Sequence, residues 1–136
     1  MAEESDSDKG KKRVLVIDDD LPTLETLELM LQVSGYKVWT SGYGRDAWRL
    51  AHEHKPDVIL LDLMMPDADG FKVHEQLAGD PGTAQIPIVL ISAHHTVRTA
   101  AKSMHIAGVL EKPFHLDELV RCVEQAMTPS AETDSS

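Results

Sequence analysis

Val58-Ile59-Leu60-Leu61 is an unbroken apolar run with Asp62 directly behind it. A run this short and continuous fits a strand buried on both faces, because a half-exposed strand would alternate apolar with polar residues. Asp62 then stands at the carboxyl end of a buried strand, where open α/β sheets place their ligand crevice. Pro66 cannot donate to a sheet ladder, and Asp69-Gly70 is a turn signal, so the strand ends within a few residues. A single strand-end aspartate is most simply an acceptor for nearby backbone N–H groups. The rest of the chain decides whether Asp62 is more than that.

Four more strands are expected: Val14 to Ile17, Lys37 to Thr40, Ile86 to Ile91 with Pro87 near its start, and Ala107 to Leu110. Between them lie helical stripes. Leu24, Leu27 and Leu31 follow Pro22, a good first-turn residue, and stop at Gly35. Ala47, Leu50 and Ala51 mark a helix ending before Pro56. The next runs from Gly70 to about Ala78, with Phe71 and Leu77 expected to face inward. Val97, Ala100, Ala101 and Met104 give a fourth, and Leu116, Leu119, Val120, Val123 and Met127 a fifth. Five strands alternating with five helices predict a doubly wound α/β domain: a five-stranded parallel sheet, helices on both faces, right-handed crossovers. Residues 13–128 make this domain. Residues 1–12 and 129–136 are polar, without apolar anchors, and read as disordered tails.

In this architecture the carboxyl ends of the strands share one crevice. They carry Asp18, Asp19 and Asp20 after the first strand, Asp62 after the third, Ser92 after the fourth and Lys112 after the fifth. Clustered carboxylates raise one another's pKa unless a cation compensates. The hard-oxygen set suits Mg²⁺. A carboxylate beside that ion can attack a phosphoryl group and become an aspartyl phosphate. A lysine and a hydroxyl can hold the phosphoryl oxygens as charge moves. Asp20, just ahead of Leu21-Pro22, also suits a helix cap. Asp67 and Asp69 read as turn and cap residues.

These motifs resemble the response-regulator receiver domain of two-component signalling, as in the bacterial chemotaxis regulator. The matching residues are Val16-Ile17-Asp18-Asp19-Asp20, Leu60 to Pro66 with Asp69-Gly70, Ile91-Ser92-Ala93 and Lys112-Pro113-Phe114. The resemblance spans Arg13 to Met127 and implies a flavodoxin-like strand order 2-1-3-4-5. It implies Asp62 as phosphoacceptor, and Mg²⁺ held by Asp19 directly, by Asp18 largely through water, by Asp62 and by the backbone carbonyl of Met64. It further implies Ser92 and Lys112 on the phosphoryl group, and a cis Lys112-Pro113 bond. The donor would be a phosphohistidine on a sensor histidine kinase or a histidine phosphotransfer protein. One position departs from the pattern. Val109 stands where many receivers carry the Tyr or Phe that turns inward on activation. Met64 and His94 occupy places that tune phosphate lifetime in the family.

Rival readings fit less well. A haloacid-dehalogenase-type phosphatase needs a second Asp where Met64 stands. A flavodoxin-like FMN site needs a phosphate-cradling loop where the three aspartates would repel phosphate. His52 and His54 are two residues apart and do not share a helix face, which argues against a zinc pair. No nucleotide loop for a kinase is present. The alternative that survives is a phosphorylation-independent pseudo-receiver, a docking module only.

Bulk properties agree. The 136 residues suit one domain. A formal net charge of −10 argues against direct nucleic-acid binding. A single cysteine, Cys122, excludes an internal disulfide and a Cys-based metal cluster. No apolar run approaches the ~18 residues of a membrane span, and no secretory h-region is visible, so a cytoplasmic protein is expected. The chain runs nine residues past its last helical stripe. It is therefore expected to be a single-domain response regulator, not an enzyme beyond its own aspartate chemistry. It would signal by docking to an unknown downstream protein through its fourth helix, fifth strand and fifth helix.

Overall fold

The computed structural model describes residues 9–92, 104 and 106–128. β1 (Arg13–Ile17), β2 (Lys37–Ser41), β3 (Val58–Asp62), β4 (Ile88–Ser92) and β5 (Gly108–Glu111) form one sheet. Its order is β2-β1-β3-β4-β5 and every neighbouring pair is parallel. This is the expected 2-1-3-4-5 arrangement. The helices described are α1 (Leu21–Val33), α2 (Ala47–His54), α3 (Gly70–Ala78) and α4 (Leu116–Met127). The helix expected from Val97 to Met104 falls outside the described residues, save for Met104 itself.

Strand alternation splits the core in two. Val14, Val16, Val58, Leu60, Val89, Ile91 and Leu110 face one side and pack on Leu24, Leu27, Leu31, Leu119 and Val123 of α1 and α4. Leu15, Ile17, Ile59, Leu61, Ile88 and Leu90 face the other, against Ala47, Ala51, Val73 and Leu77 of α2 and α3. Both sets are almost fully buried. This is why the strands read as continuous apolar runs: successive residues point to opposite faces, and each face has its own helical cover. Each leucine of the α1 stripe adds roughly 1.5–3 kcal/mol by leaving water.

Helix ends follow the sequence closely. Asp20 caps α1, its carboxylate accepting from Thr23 N–H at 3.1 Å. Gly35 takes φ +98° just past the end of α1, a conformation that side-chain-bearing residues avoid. Asp69 caps α3 by accepting from Phe71 N–H at 2.9 Å. Two expectations need correction. Phe71 faces solvent at 41% exposure, because the buried stripe of α3 is Gly70, Val73, His74 and Leu77 and Phe71 lies about 100° round from Gly70. Leu116, in the first turn of α4, is equally exposed at 41%; the buried stripe there starts at Leu119.

Candidate functional site

The crevice is built by where strands stop. β1 ends at Ile17, and Asp18 follows it with no exposed surface. β3 ends on Asp62 itself, 5% exposed. β4 ends on Ser92, 2% exposed, in register with Glu111 of β5. Lys112 comes next, its backbone N–H donating to the Ser92 carbonyl at 2.8 Å. The cis Lys112-Pro113 bond expected from the resemblance is present.

Lys112 joins the aspartates. Its Nζ lies 2.7 Å from Asp18 Oδ2 and 3.6 Å from Asp62 Oδ2. Asp18 Oδ1 accepts from Asp20 N–H at 2.9 Å, and Asp62 Oδ1 accepts from Met64 N–H at 3.0 Å. Each carboxylate therefore has one oxygen fixed by backbone and one turned to the lysine. Asp18 Oδ2 is fully buried, and the Lys112 ammonium is the cation set against it. Exposed Asp19 completes the cluster: one carboxylate oxygen from each of Asp18, Asp19 and Asp62 lies within 4.8 Å of the others.

The charges press on one another. Burial raises the Asp62 carboxyl to about 6; the Met64 N–H bond opposes this, the Asp18 charge reinforces it and Lys112 opposes it. Burial pulls Lys112 down, but its contact with Asp18 and the charges of Asp62, Asp18 and Asp20 outweigh that, and its ammonium is held above the ordinary lysine value. A crowd of three carboxylates answered by one lysine is a hard-oxygen set that fits a divalent cation such as Mg²⁺.

The sequence placed Asp18, Asp19, Asp62, Ser92 and Lys112 at one mouth, and the structure brings them together there. Met64 sits beside them and is 62% exposed. His94 lies outside the described residues. His54 stacks on Trp39 at 4.4 Å and His52 lies against Trp48 at 5.2 Å, so they point to different neighbours. Asp67 does more than turn the chain. Its two oxygens accept from Gly44 N–H at 3.0 Å and Arg45 N–H at 3.2 Å, strapping the loop after β3 to the turn after β2. No local pattern announces that contact.

Fold and site define a class: a doubly wound α/β domain with an acidic, cation-suited crevice at the carboxyl edge of its sheet. The chain belongs to the response regulator receiver domain family, which it matches over residues 14–124. It is 38% identical over 126 residues to the transcriptional regulatory protein PrrA of Mycobacterium tuberculosis, covering 91% of this chain and 53% of that protein. It is 30% identical to the protein PilH of Pseudomonas aeruginosa over 85% of this chain and 97% of PilH. The chain spans about half the length of the first curated relatives it matches, among them PrrA. Among solved structures, a chemotaxis response regulator of Vibrio cholerae superposes with TM-score 0.78 at 26% identity, over 85% of this chain and 98% of that one. The receiver domain of a Pseudomonas aeruginosa sensor histidine kinase, which holds a magnesium ion in its active-site cleft, gives TM-score 0.80 at 25% identity, over 87% and 98%.

Proposed function

We propose that this receiver domain takes a phosphoryl group onto Asp62 from a phosphohistidine of a sensor histidine kinase or histidine phosphotransfer protein. The observation that carries the reading is Lys112 Nζ standing between Asp18 and Asp62, at 2.7 and 3.6 Å, at the ends of three strands. In the transfer, an Asp62 oxygen forms the new P–O bond as the P–N bond to the donor imidazole breaks; the imidazole leaves with the electron pair. The product is an aspartyl phosphate. Asp18, Asp19, Asp62 and the Met64 carbonyl would hold Mg²⁺, which supplies charge neutralisation for the phosphoryl oxygens. Lys112 is positioned to swing its ammonium from Asp18 to those oxygens, and Ser92 to donate its hydroxyl to one of them. Asp62, desolvated yet paired, is a nucleophile kept basic by burial.

Signalling would follow by phosphorylation-dependent docking to a downstream protein. A phosphorylation-independent docking module is the rival. The full set of Asp18, Asp19, Asp62, Ser92 and Lys112 favours the first, since a docking surface needs none of them inside a crevice. Phosphate uptake from acetyl phosphate decides between them. Uptake in Mg²⁺ that chelator abolishes supports the phosphoacceptor; no uptake under either condition supports the docking module.

A further inference from the structure

The crevice carboxylate Asp18 is hydrogen-bonded to the backbone of a residue outside the crevice. Its Oδ1 accepts from the backbone N–H of Asp20 at 2.9 Å. The exposed side chain of the same residue turns back on α1 and accepts from both the N–H and the hydroxyl of Thr23. The chain bends at Asp19, and Asp20 holds φ −84° and ψ 106°, the extended conformation of a helix cap. With Oδ1 tied to this turn, Asp18 presents its fully buried Oδ2 to Lys112 at 2.7 Å and to the cluster. The first turn of α1 also abuts the lysine: Pro22 and Thr23 line one groove of about 450 Å³ with Lys112 and Pro113. The Asp20 charge is felt at Lys112, but behind those of Asp62 and Asp18.

We propose that Asp20 is a positioning residue for the metal site: its cap on α1 fixes the turn that aims Asp18 Oδ2 into the crevice. This deepens the metal reading above and rests on it. The residue does not ligate. It acts through backbone, so a side chain that caps without charge should serve in its place. Asn and Ser are both good caps, whereas Ala is not. Partners that orient a metal ligand from outside typically contribute 10- to 100-fold in affinity.

The test is a Mg²⁺ titration of the unphosphorylated protein, followed by amide NMR shifts of the residues around Asp62, for the unaltered chain and for Asp20→Ala, Asp20→Asn and Asp20→Ser. Asp20→Ala is expected to weaken Mg²⁺ by about tenfold, with Asn and Ser within about threefold of the unaltered protein. Circular dichroism checks that each variant is folded; if Asp20→Ala is not, Asn and Ser against the unaltered chain still carry the test. Equal weakening in all three variants would assign the effect to charge and overturn the proposal. So would an Asp20→Ala protein of lowered melting temperature but unchanged Mg²⁺ affinity, since that is a cap and nothing more. An unaltered chain with no saturable Mg²⁺ response would bring down the metal site as well, an outcome distinct from the other two.

Discussion

Asp62 is under electrostatic strain, and its sign can be followed. Burial lifts the folded-state pKa to about 6, above the unfolded carboxyl value near 3.8. The folded chain therefore binds this proton more tightly than the unfolded chain does. In the absence of metal, stability falls as pH rises from about 4 to about 6, and the cost is fully present above that window. Asp62→Asn should consequently stabilise the metal-free protein at pH 7.5, by on the order of 1 kcal/mol once solvent screening at the crevice mouth is allowed for. The gain should shrink towards pH 4.5 and on adding Mg²⁺. Urea unfolding at the two pH values measures it; a destabilised variant at pH 7.5 would show that Asp62 is instead held mainly by favourable contacts. Two neighbours separate by position. Asp19→Ala removes a cluster oxygen, so it should weaken Mg²⁺ more than Asp20→Ala, which removes only the cap. Calorimetric titration of both variants gives the order. At this scale the sequence was most legible where an apolar run ends on a polar residue, as at Asp18, Asp62 and Ser92, because strand direction places those side chains. It was silent on Asp67, whose partners Gly44 and Arg45 are more than twenty residues away along the chain.

At the scale of elements, the loop after β3 is held by close approach. Gly70 opens α3, and a Cβ there would stand 2.5 Å from the Leu63 carbonyl oxygen and 2.8 Å from Leu63 Cα. Asp69-Gly70 reads as a turn in the sequence, but its physical reason is steric and visible only in three dimensions. Gly70→Ala should destabilise by about 1–3 kcal/mol, the usual range for overpacking, and disturb the Met64 amide that anchors Asp62. Unfolding curves and the Met64 amide shift test both; an unaffected Met64 amide would show that the loop relaxes away from α3. β5 carries the second element-level case. Val109 is half-buried and packs on the core face shared with α2 and α3. A valine is stiff at χ1 and too short to exchange a pocket for the surface as an aromatic ring can. Val109→Ala should cost on the order of 1 kcal/mol. It should leave phosphate uptake nearly unchanged, and the phospho-dependent amide shifts of residues 93–103 should persist. Normal uptake with those shifts abolished would make Val109 the relay. The buried faces of α1 and α2 were legible in the spacing of Leu24, Leu27 and Leu31 and of Ala47 and Ala51. Phe71 shows the limit: an apolar residue at a helix start is assigned by counting, and a shift of one position turns it to solvent.

For the whole molecule, the alternation of strand and helix was enough to predict the layers, since unbroken apolar strands demand cover on two faces. The strand order was another matter. Nothing in residue spacing says that β1 sits between β2 and β3, and that order came with the family resemblance. Once β1, β3, β4 and β5 lie side by side, Asp18, Asp62, Ser92 and Lys112 share one mouth without further instruction. None of the described helices is long and apolar enough to cross a membrane. The sheet thus acts as a rigid mount for a cluster whose charges would otherwise push it apart, and a phosphoryl group arriving there would find a lysine and a cation site already in place. Intact-mass analysis after incubation with acetyl phosphate and Mg²⁺ puts that to the test most directly. The expected result is a mass gain of one phosphoryl group on the unaltered chain, lost on chelation of Mg²⁺ and absent from Asp62→Asn. Uptake by Asp62→Asn at a rate comparable to the unaltered chain would contradict it.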